Sequence, residues 1–402
     1  MHLFLELLEG AAGGVHLGFE TSSVFPSGWL GHGGVGHGDR LCGVRGGWVV
    51  SRTIRRSKSV PESVQREASG VAVHGALREY DPLPPGFVGA GGGSGFPVRG
   101  GIFVTRSLHV QIGWIGCGVM GASMAGHLLE AGHGVRVHTR TRAKAATLVE
   151  RGAVWADSPR EAAESADVAV SIVGYPEDVE MVHLGETGTL SADHPPRILI
   201  DMTTSEPDLA VRLHDAAAAR GISFLDAPVS GGDVGARGGT LSIMIGGEAT
   251  AVATAQPIFD ILGGTVIHQG GPGAGQRTKI VNQVLVAASM MGAVEAVLFA
   301  TRAGLDPRRV LDSVTTGAAG SWTLSNLVPR MLDGDFEPGF FIDHFVKDLG
   351  IAIREARRLG LDLPGLALAE SFYREARDEG LGAKGTQALL LLIEARQPRS
   401  GE

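Results

Sequence analysis

The feature that most constrains this chain is a glycine pattern in one particular setting. Gly116-Cys117-Gly118-Val119-Met120-Gly121 directly follows the β-rich run Val110 to Ile115 and directly precedes an apolar-periodic helical stretch, Ser123 to Ala131. In a G-x-G-x-x-G so placed, the first glycine permits a tight turn, the second lets a pyrophosphate approach the backbone, and the third allows helix and strand to pack closely. The unpaired N–H groups at the helix start, on the positive end of its dipole, are then aimed at phosphate. Gly116, Gly118, Val119, Met120 and Gly121 are therefore the expected cradle of a dinucleotide. In a chain with 61 glycines the hexapeptide alone is weak, and a structural glycine-rich turn is the alternative. The strand before it and the helix after it carry the weight.

The same alternation continues downstream. Strand candidates are Val135 to Thr139, Val168 to Val173, Ile198 to Met202, Phe224 to Val229, Leu241 to Ile245 and Thr265 to His268. Helical stretches lie between them, among them Leu209 to Arg220, which Gly221 stops. The pattern predicts an α/β architecture, a Rossmann-type doubly wound parallel sheet. After the glycines at 270, 271, 273 and 275 the strand signals stop, and Arg277 to Arg302 opens a helical region with a long segment apolar on most of its circumference. A chain of 402 residues exceeds the ~250–300 residues that one core usually serves. Three parts are expected: a low-complexity extension over 1–107, a dinucleotide-binding domain over 108–272, and an all-helical domain for substrate and oligomer contacts over 273–402. Of the 61 glycines, 23 precede Ile102, so the extension has little apolar surface to offset its ordering entropy and is expected to be mostly disordered.

Net charge is −8 and the basic residues are scattered, which offers no footprint for nucleic acid or an anionic membrane. The apolar run Ala388 to Ile393 is far short of the ~20 residues a membrane span needs. The only cysteines, Cys42 and Cys117, lie in segments of unlike character, so no disulfide framework is expected and a reducing, cytoplasmic setting is. The histidines form no H-x-x-x-H or mixed Cys/His set in the folded part, and no metal is expected.

The residue that closes the second strand selects the nicotinamide coenzyme. An acid there holds the ribose 2′-hydroxyl of NAD and repels a 2′-phosphate. This chain has His138-Thr139-Arg140-Thr141-Arg142 instead. Arg140 can meet a phosphate with a bidentate fork, so NADP is expected, with NAD as the alternative if Arg140 is an ordinary surface arginine. Thr139 and Thr141 flank it.

Four motifs in order give the chain a family likeness. They are the G-x-G-x-M-G form of the glycine turn; Asp226-Ala227-Pro228-Val229-Ser230-Gly231-Gly232 with Gly235-Ala236 and Gly239-Thr240-Leu241; Gly275-Gln276-Arg277-Thr278-Lys279-Ile280-Val281-Asn282-Gln283; and Phe345-Val346-Lys347-Asp348-Leu349. With these, residues 109 to about 395 resemble the β-hydroxyacid dehydrogenases related to 3-hydroxyisobutyrate dehydrogenase, which include glyoxylate and succinic semialdehyde reductases. The resemblance implies hydride exchange between the coenzyme and a small carboxylate or aldehyde substrate, in a homodimer or homotetramer. Thr139 departs from the asparagine common in NADP-using members.

By the same resemblance Lys279 is the catalytic proton carrier. Its chemistry is sound if its pKa is lowered from ~10.4 towards ~7–8. Asn282 and Gln283, three and four residues on, share its helix face and could orient the ammonium or the substrate hydroxyl. Ser230, Gly231 and Gly232 could offer a hydroxyl and backbone N–H groups to a carboxylate. Thr203 and Thr204, past the strand Ile198 to Met202, are placed near the nicotinamide, although such hydroxyls could equally cap the next helix. Lys347 is expected to close over coenzyme or substrate, Asp348 to be structural, and Tyr175-Pro176 to form a coenzyme-side loop. Trp322 is either a wall of the substrate pocket or a core plug. Imine reduction on the same architecture and a non-catalytic NADP-binding scaffold are the competing functions; Lys279 argues against both.

Overall fold

The computed structural model describes residues 109–398 and the backbone of 40–45 and 48–53. Within the segment expected to lack structure, β1 (Arg40–Arg45) and β2 (Trp48–Thr53) pair antiparallel, with Arg45 opposite Trp48. The rest of that expectation lies outside the described residues. This ribbon belongs to a unit, Met1–Gly101, distinct from the compact unit Ile102–Glu402.

The second unit is built on a nine-stranded sheet. Its strands are β3 (Gln111–Ile115), β4 (Gly134–His138), β5 (Val154–Trp155), β6 (Val168–Ser171), β7 (Ile198–Asp201), β8 (Ser223–Asp226), β9 (Val229–Ser230), β10 (Leu241–Gly246) and β11 (Gly263–Gly270). They lie in the order β11-β10-β8-β7-β6-β3-β4-β5, with β9 paired to β10. From β5 to β8 this is the doubly wound dinucleotide order, which reverses direction between β3 and β6 and opens a crevice at their carboxyl ends. β6 and β7 are buried along their whole length, as parallel strands covered on both faces must be.

On one face pack α1 (Gly121–Glu130) and α5 (Ala249–Leu262), enclosing Trp114, Met124, Leu128, Ile243 and Phe259. On the other, α2 (Pro176–Leu184) and α3 (Pro207–Ala218) close over Leu199, Phe224 and Leu213. Between β9 and β10 lies the short α4 (Gly232–Gly238).

Two expectations need correction. The strand expected over Phe224 to Val229 is two: β8 ends at Asp226, and β9 turns to run antiparallel to β10, with Val229 opposite Ile243. Pro228, with no N–H to give a ladder, sits at the break. Because β10 also meets β8 antiparallel at Gly246, the sheet is mixed rather than wholly parallel. β5, only two residues long, was too short for its alternation to show.

Helices follow: α6 (Ala274–Arg302), α7 (Trp322–Asn326), α8 (Ile342–Arg358) and α9 (Pro364–Ala376), around a core that includes Met290, Val294, Phe345, Leu349 and Tyr373. By length and composition α6 could cross a membrane. Its first three turns bury Gln276, Lys279 and Gln283 in hydrogen bonds to protein. Val281, Leu285 and Phe299 form an exposed apolar stripe along it.

Candidate active site

The glycine turn separates into structural and open positions. Gly116 has φ +106°, and a Cβ there would collide with the Ile172 carbonyl. Its N–H donates to His138 O at 2.8 Å, and its own carbonyl accepts Trp114 Nε1 at 2.8 Å, so both sides of the turn are pinned. A Cβ at Gly121 would strike Gly116 O. Gly118, by contrast, is exposed and would meet nothing within 4 Å. That open backbone at the start of α1 fits a pyrophosphate. Cys117 between them is buried, its thiol pushed up to about 11, and is no nucleophile.

At the end of β4, Thr139 is half-buried while Arg140 and Thr141 are exposed. Arg142 stacks on the Trp155 ring at 5.1 Å. Arg140 is not free: its Nη1 donates to Asp178 Oδ1 at 2.9 Å. Asp178 sits in the first turn of α2, where its Oδ2 accepts from Tyr175 N at 3.2 Å. The Tyr175 ring meets His344 of α8 edge-on at 5.6 Å. Tyr175, Pro176 and Lys347 line a common cleft of about 240 Å³ between α2, α8 and α9; Lys279 does not line it.

The long helix is set in place by an acid. Asp226, at the end of β8, accepts from Gly273 N at 2.8 Å and Gln276 N at 2.9 Å, satisfying donors at the start of α6. Burial raises its carboxyl to about 6 against the pull of those N–H groups. Asp226→Ala orphans both donors, and thermal denaturation is expected to show a loss of about 2 kcal/mol; an unchanged melting curve would mean the cap is idle. Gln276 then ties α6 to the loop after β7, accepting from Ser205 N at 2.9 Å and donating to Thr203 O at 2.7 Å.

Lys347 of α8 holds the same loop, donating to Thr204 O at 2.7 Å. Thr203 does not cap α3, whose N-cap is Glu206. Its hydroxyl donates to Asp201 Oδ1 at 2.7 Å and accepts from Val173 N at 2.9 Å. Below it Ser171 Oγ donates to Asp201 at 2.8 Å and lies 2.9 Å from His183 Nε2, whose Nδ1 is 2.8 Å from Thr189 Oγ1. Since Ser171 gives its hydrogen to Asp201, His183 donates from Nε2, and a neutral ring then accepts from Thr189 at Nδ1. Burial, which lowers it to about 3, agrees.

Lys279 is 7% exposed, and its Nζ donates to Val229 O at 2.7 Å, one residue before Ser230. Burial lowers it to about 8; Asp348 opposes that shift and Lys347 assists it. An ammonium with a single protein acceptor keeps hydrogens for another oxygen. Gly231 (φ +129°) and Gly232 (φ +61°) turn the chain from Ser230 into α4. Asn282 and Gln283 make no hydrogen bond to the ammonium: Asn282 Nδ2 donates to Gln283 Oε1 at 2.8 Å, and Gln283 Nε2 to Asp348 Oδ2 at 2.6 Å. Lys347 Nζ lies 3.0 Å from the other Asp348 oxygen without hydrogen-bond alignment, so that contact is Coulombic. Trp322 opens α7 with 53% exposure, which rules out a core plug, and no described ring contact ties it to Lys279.

Sequence reasoning gave no role to Asp178, Gln276 or the Asp201 chain. Asp226 stood inside a motif, but its capping duty depends on a helix 47 residues away.

Two family models together match most of residues 111–393. Residues 111–271 match the family model of the NAD-binding domain of 6-phosphogluconate dehydrogenase. Residues 273–393 match that described as NAD-binding of NADP-dependent 3-hydroxyisobutyrate dehydrogenase. The probable 3-hydroxyisobutyrate dehydrogenase-like 1, mitochondrial, of Arabidopsis thaliana is 49% identical over 287 residues, 71% of this chain and 86% of the relative. The 2-hydroxy-3-oxopropionate reductase of Escherichia coli is 36% identical over 285 residues, 71% of this chain and 97% of the relative. A solved structure of Mycobacterium tuberculosis 3-hydroxyisobutyrate dehydrogenase with L-serine superposes with a TM-score of 0.65 at 30% identity, covering 71% of this chain and 99% of that one.

Proposed function

This chain belongs to the β-hydroxyacid dehydrogenase family, and from that membership we propose that it moves a hydride between NADP(H) and a small hydroxy acid or its semialdehyde or carbonyl counterpart, with Lys279 carrying the proton. The observation that carries the reading is the buried Lys279 ammonium, lowered to about 8 and held beside Ser230 by a single carbonyl. Bound nicotinamide coenzyme supplies the hydride or accepts it. Gly118 and the start of α1 would hold its pyrophosphate, and Arg140 the 2′-phosphate. The loop 203–205, tied down by Gln276 and Lys347, would shape the nicotinamide end.

For reduction, Nζ–H donates to the substrate oxygen as negative charge develops there; for oxidation, neutral Nζ takes the hydroxyl proton. Ser230, Gly231 and Gly232 would receive the substrate carboxylate. The Asn282–Gln283–Asp348 chain keeps a carboxylate near Lys279, which restrains the fall in its proton affinity. A homodimer or homotetramer is part of the same reading: a second copy would cover Val281, Leu285 and Phe299.

The test is NADPH oxidation against a panel of two- to four-carbon carbonyl acids across pH. In reduction kcat/KM is expected to hold below about 8 and fall about tenfold per pH unit above it; in oxidation it is expected to rise through the same midpoint. Turnover of no panel member, or a profile flat across that midpoint in both directions, contradicts the proposal.

A further inference from the structure

Arg140, at the end of β4, is the residue expected to meet a 2′-phosphate, and the structure gives it to another anion. We propose that Asp178 is a specificity-determining residue: its carboxylate competes with the coenzyme's 2′-phosphate for Arg140 and thereby narrows the preference for NADP(H) over NAD(H). The inference rests on the coenzyme assignment above.

Topology places the ion pair across the coenzyme's path. Arg140 leaves the end of β4, Asp178 the first turn of the helix after β6, and β3 lies between those strands. With strands about 4.8 Å apart, the two launch points stand about 10 Å from one another across the carboxyl end of β3. A side-chain bond of 2.9 Å between them therefore spans the mouth from which the glycine turn rises.

The two partners are unequal. The Arg140 side chain is 78% exposed and can swing; that of Asp178 is 14% exposed and is anchored by Tyr175 N. Asp178 is thus a fixed negative charge, and Arg140 a mobile arm that must be taken from it. A 2′-phosphate has to displace the carboxylate before it can take that arm. A 2′-hydroxyl does not, so NAD(H) leaves the pair intact. An exposed pair of this kind is weak enough to exchange, yet strong enough to register in a binding constant.

The experiment compares full-length wild type, Asp178→Asn, Arg140→Gln and the double variant, titrated with NADPH and with NADH by calorimetry. Asparagine keeps an oxygen for Tyr175 N, so the start of α2 stays capped. In Asp178→Asn the Kd for NADPH is expected to tighten about three- to tenfold, while that for NADH moves less than about twofold. In the Arg140→Gln background the same change is expected to leave NADPH within about twofold, because the contested arm is gone. An unchanged or weaker NADPH affinity in Asp178→Asn, equal gains for both coenzymes, or the same gain without Arg140 would each overturn the proposal. A wild type that binds neither coenzyme would instead overturn the assignment beneath it.

Discussion

Replacing Lys279 by methionine is expected to slow turnover by about 10²–10⁴-fold and, at the same time, to make the fold more stable. The two effects have one cause. Lys279 is buried, and burial disfavours its charged form, lowering it from 10.5 to about 8. At neutral pH the folded protein therefore carries an ammonium that water would solvate better, and the imbalance is on the order of 1–3 kcal/mol. Methionine matches the stem in length and removes the charge.

The sign with pH follows from proton counting. Below about 8 the amine is protonated in both folded and unfolded chains, and the burial penalty is present in full. Between about 8 and 10.5 the unfolded chain holds a proton that the folded one has released, so wild-type stability gains with rising pH. The advantage of Lys279→Met in chemical denaturation should accordingly shrink across that window. A variant that keeps its turnover would remove Lys279 from the chemistry; one that melts well below wild type would show that the ammonium holds the fold together.

The second large effect separates two neighbouring glycines. Gly118→Ala is expected to weaken coenzyme binding by about 10–100-fold with little change in stability, since its Cβ would occupy space that no protein atom touches within 4 Å. Gly116→Ala should do the reverse at the level of folding. Its φ of +106° and the Ile172 carbonyl leave no room for a side chain, and a loss of about 3 kcal/mol or more is expected in denaturant titrations. If Gly118→Ala bound NADPH as wild type does, the turn would not be the phosphate cradle.

What could be read from sequence was local. The glycine turn, the strand-to-helix alternation and Lys279 all sit in short windows whose spacing has direct physical meaning. Pro228 is equally local, yet the break between β8 and β9 was missed because Ala227 and Val229 continue the apolar run on either side of it. Partnerships between distant residues left no such trace. Arg140 is 38 residues from Asp178, and Gln276 is 73 from the Thr203 carbonyl it holds. Asn282 and Gln283 were placed on the correct face of α6 by helical spacing. Spacing could not say that Asp348, from α8, would claim the amide of Gln283. The buried Thr189–His183–Ser171–Asp201–Thr203 chain draws on two strands or their ends, the helix α2 and the segment after it, and nothing in its spacing announces a network.

The central claim is that the amine on α6 delivers the proton while the coenzyme at the glycine turn exchanges the hydride. A crystal structure of the protein with NADP+ and a substrate-like hydroxy acid tests it most directly. The expected result has the hydroxyl oxygen about 2.6–3.2 Å from Lys279 Nζ, its carbon facing the nicotinamide C4, and the carboxylate against Ser230 to Gly232. A hydroxy acid bound elsewhere, with Nζ still held only by the Val229 carbonyl and out of reach of the reacting oxygen, would contradict it.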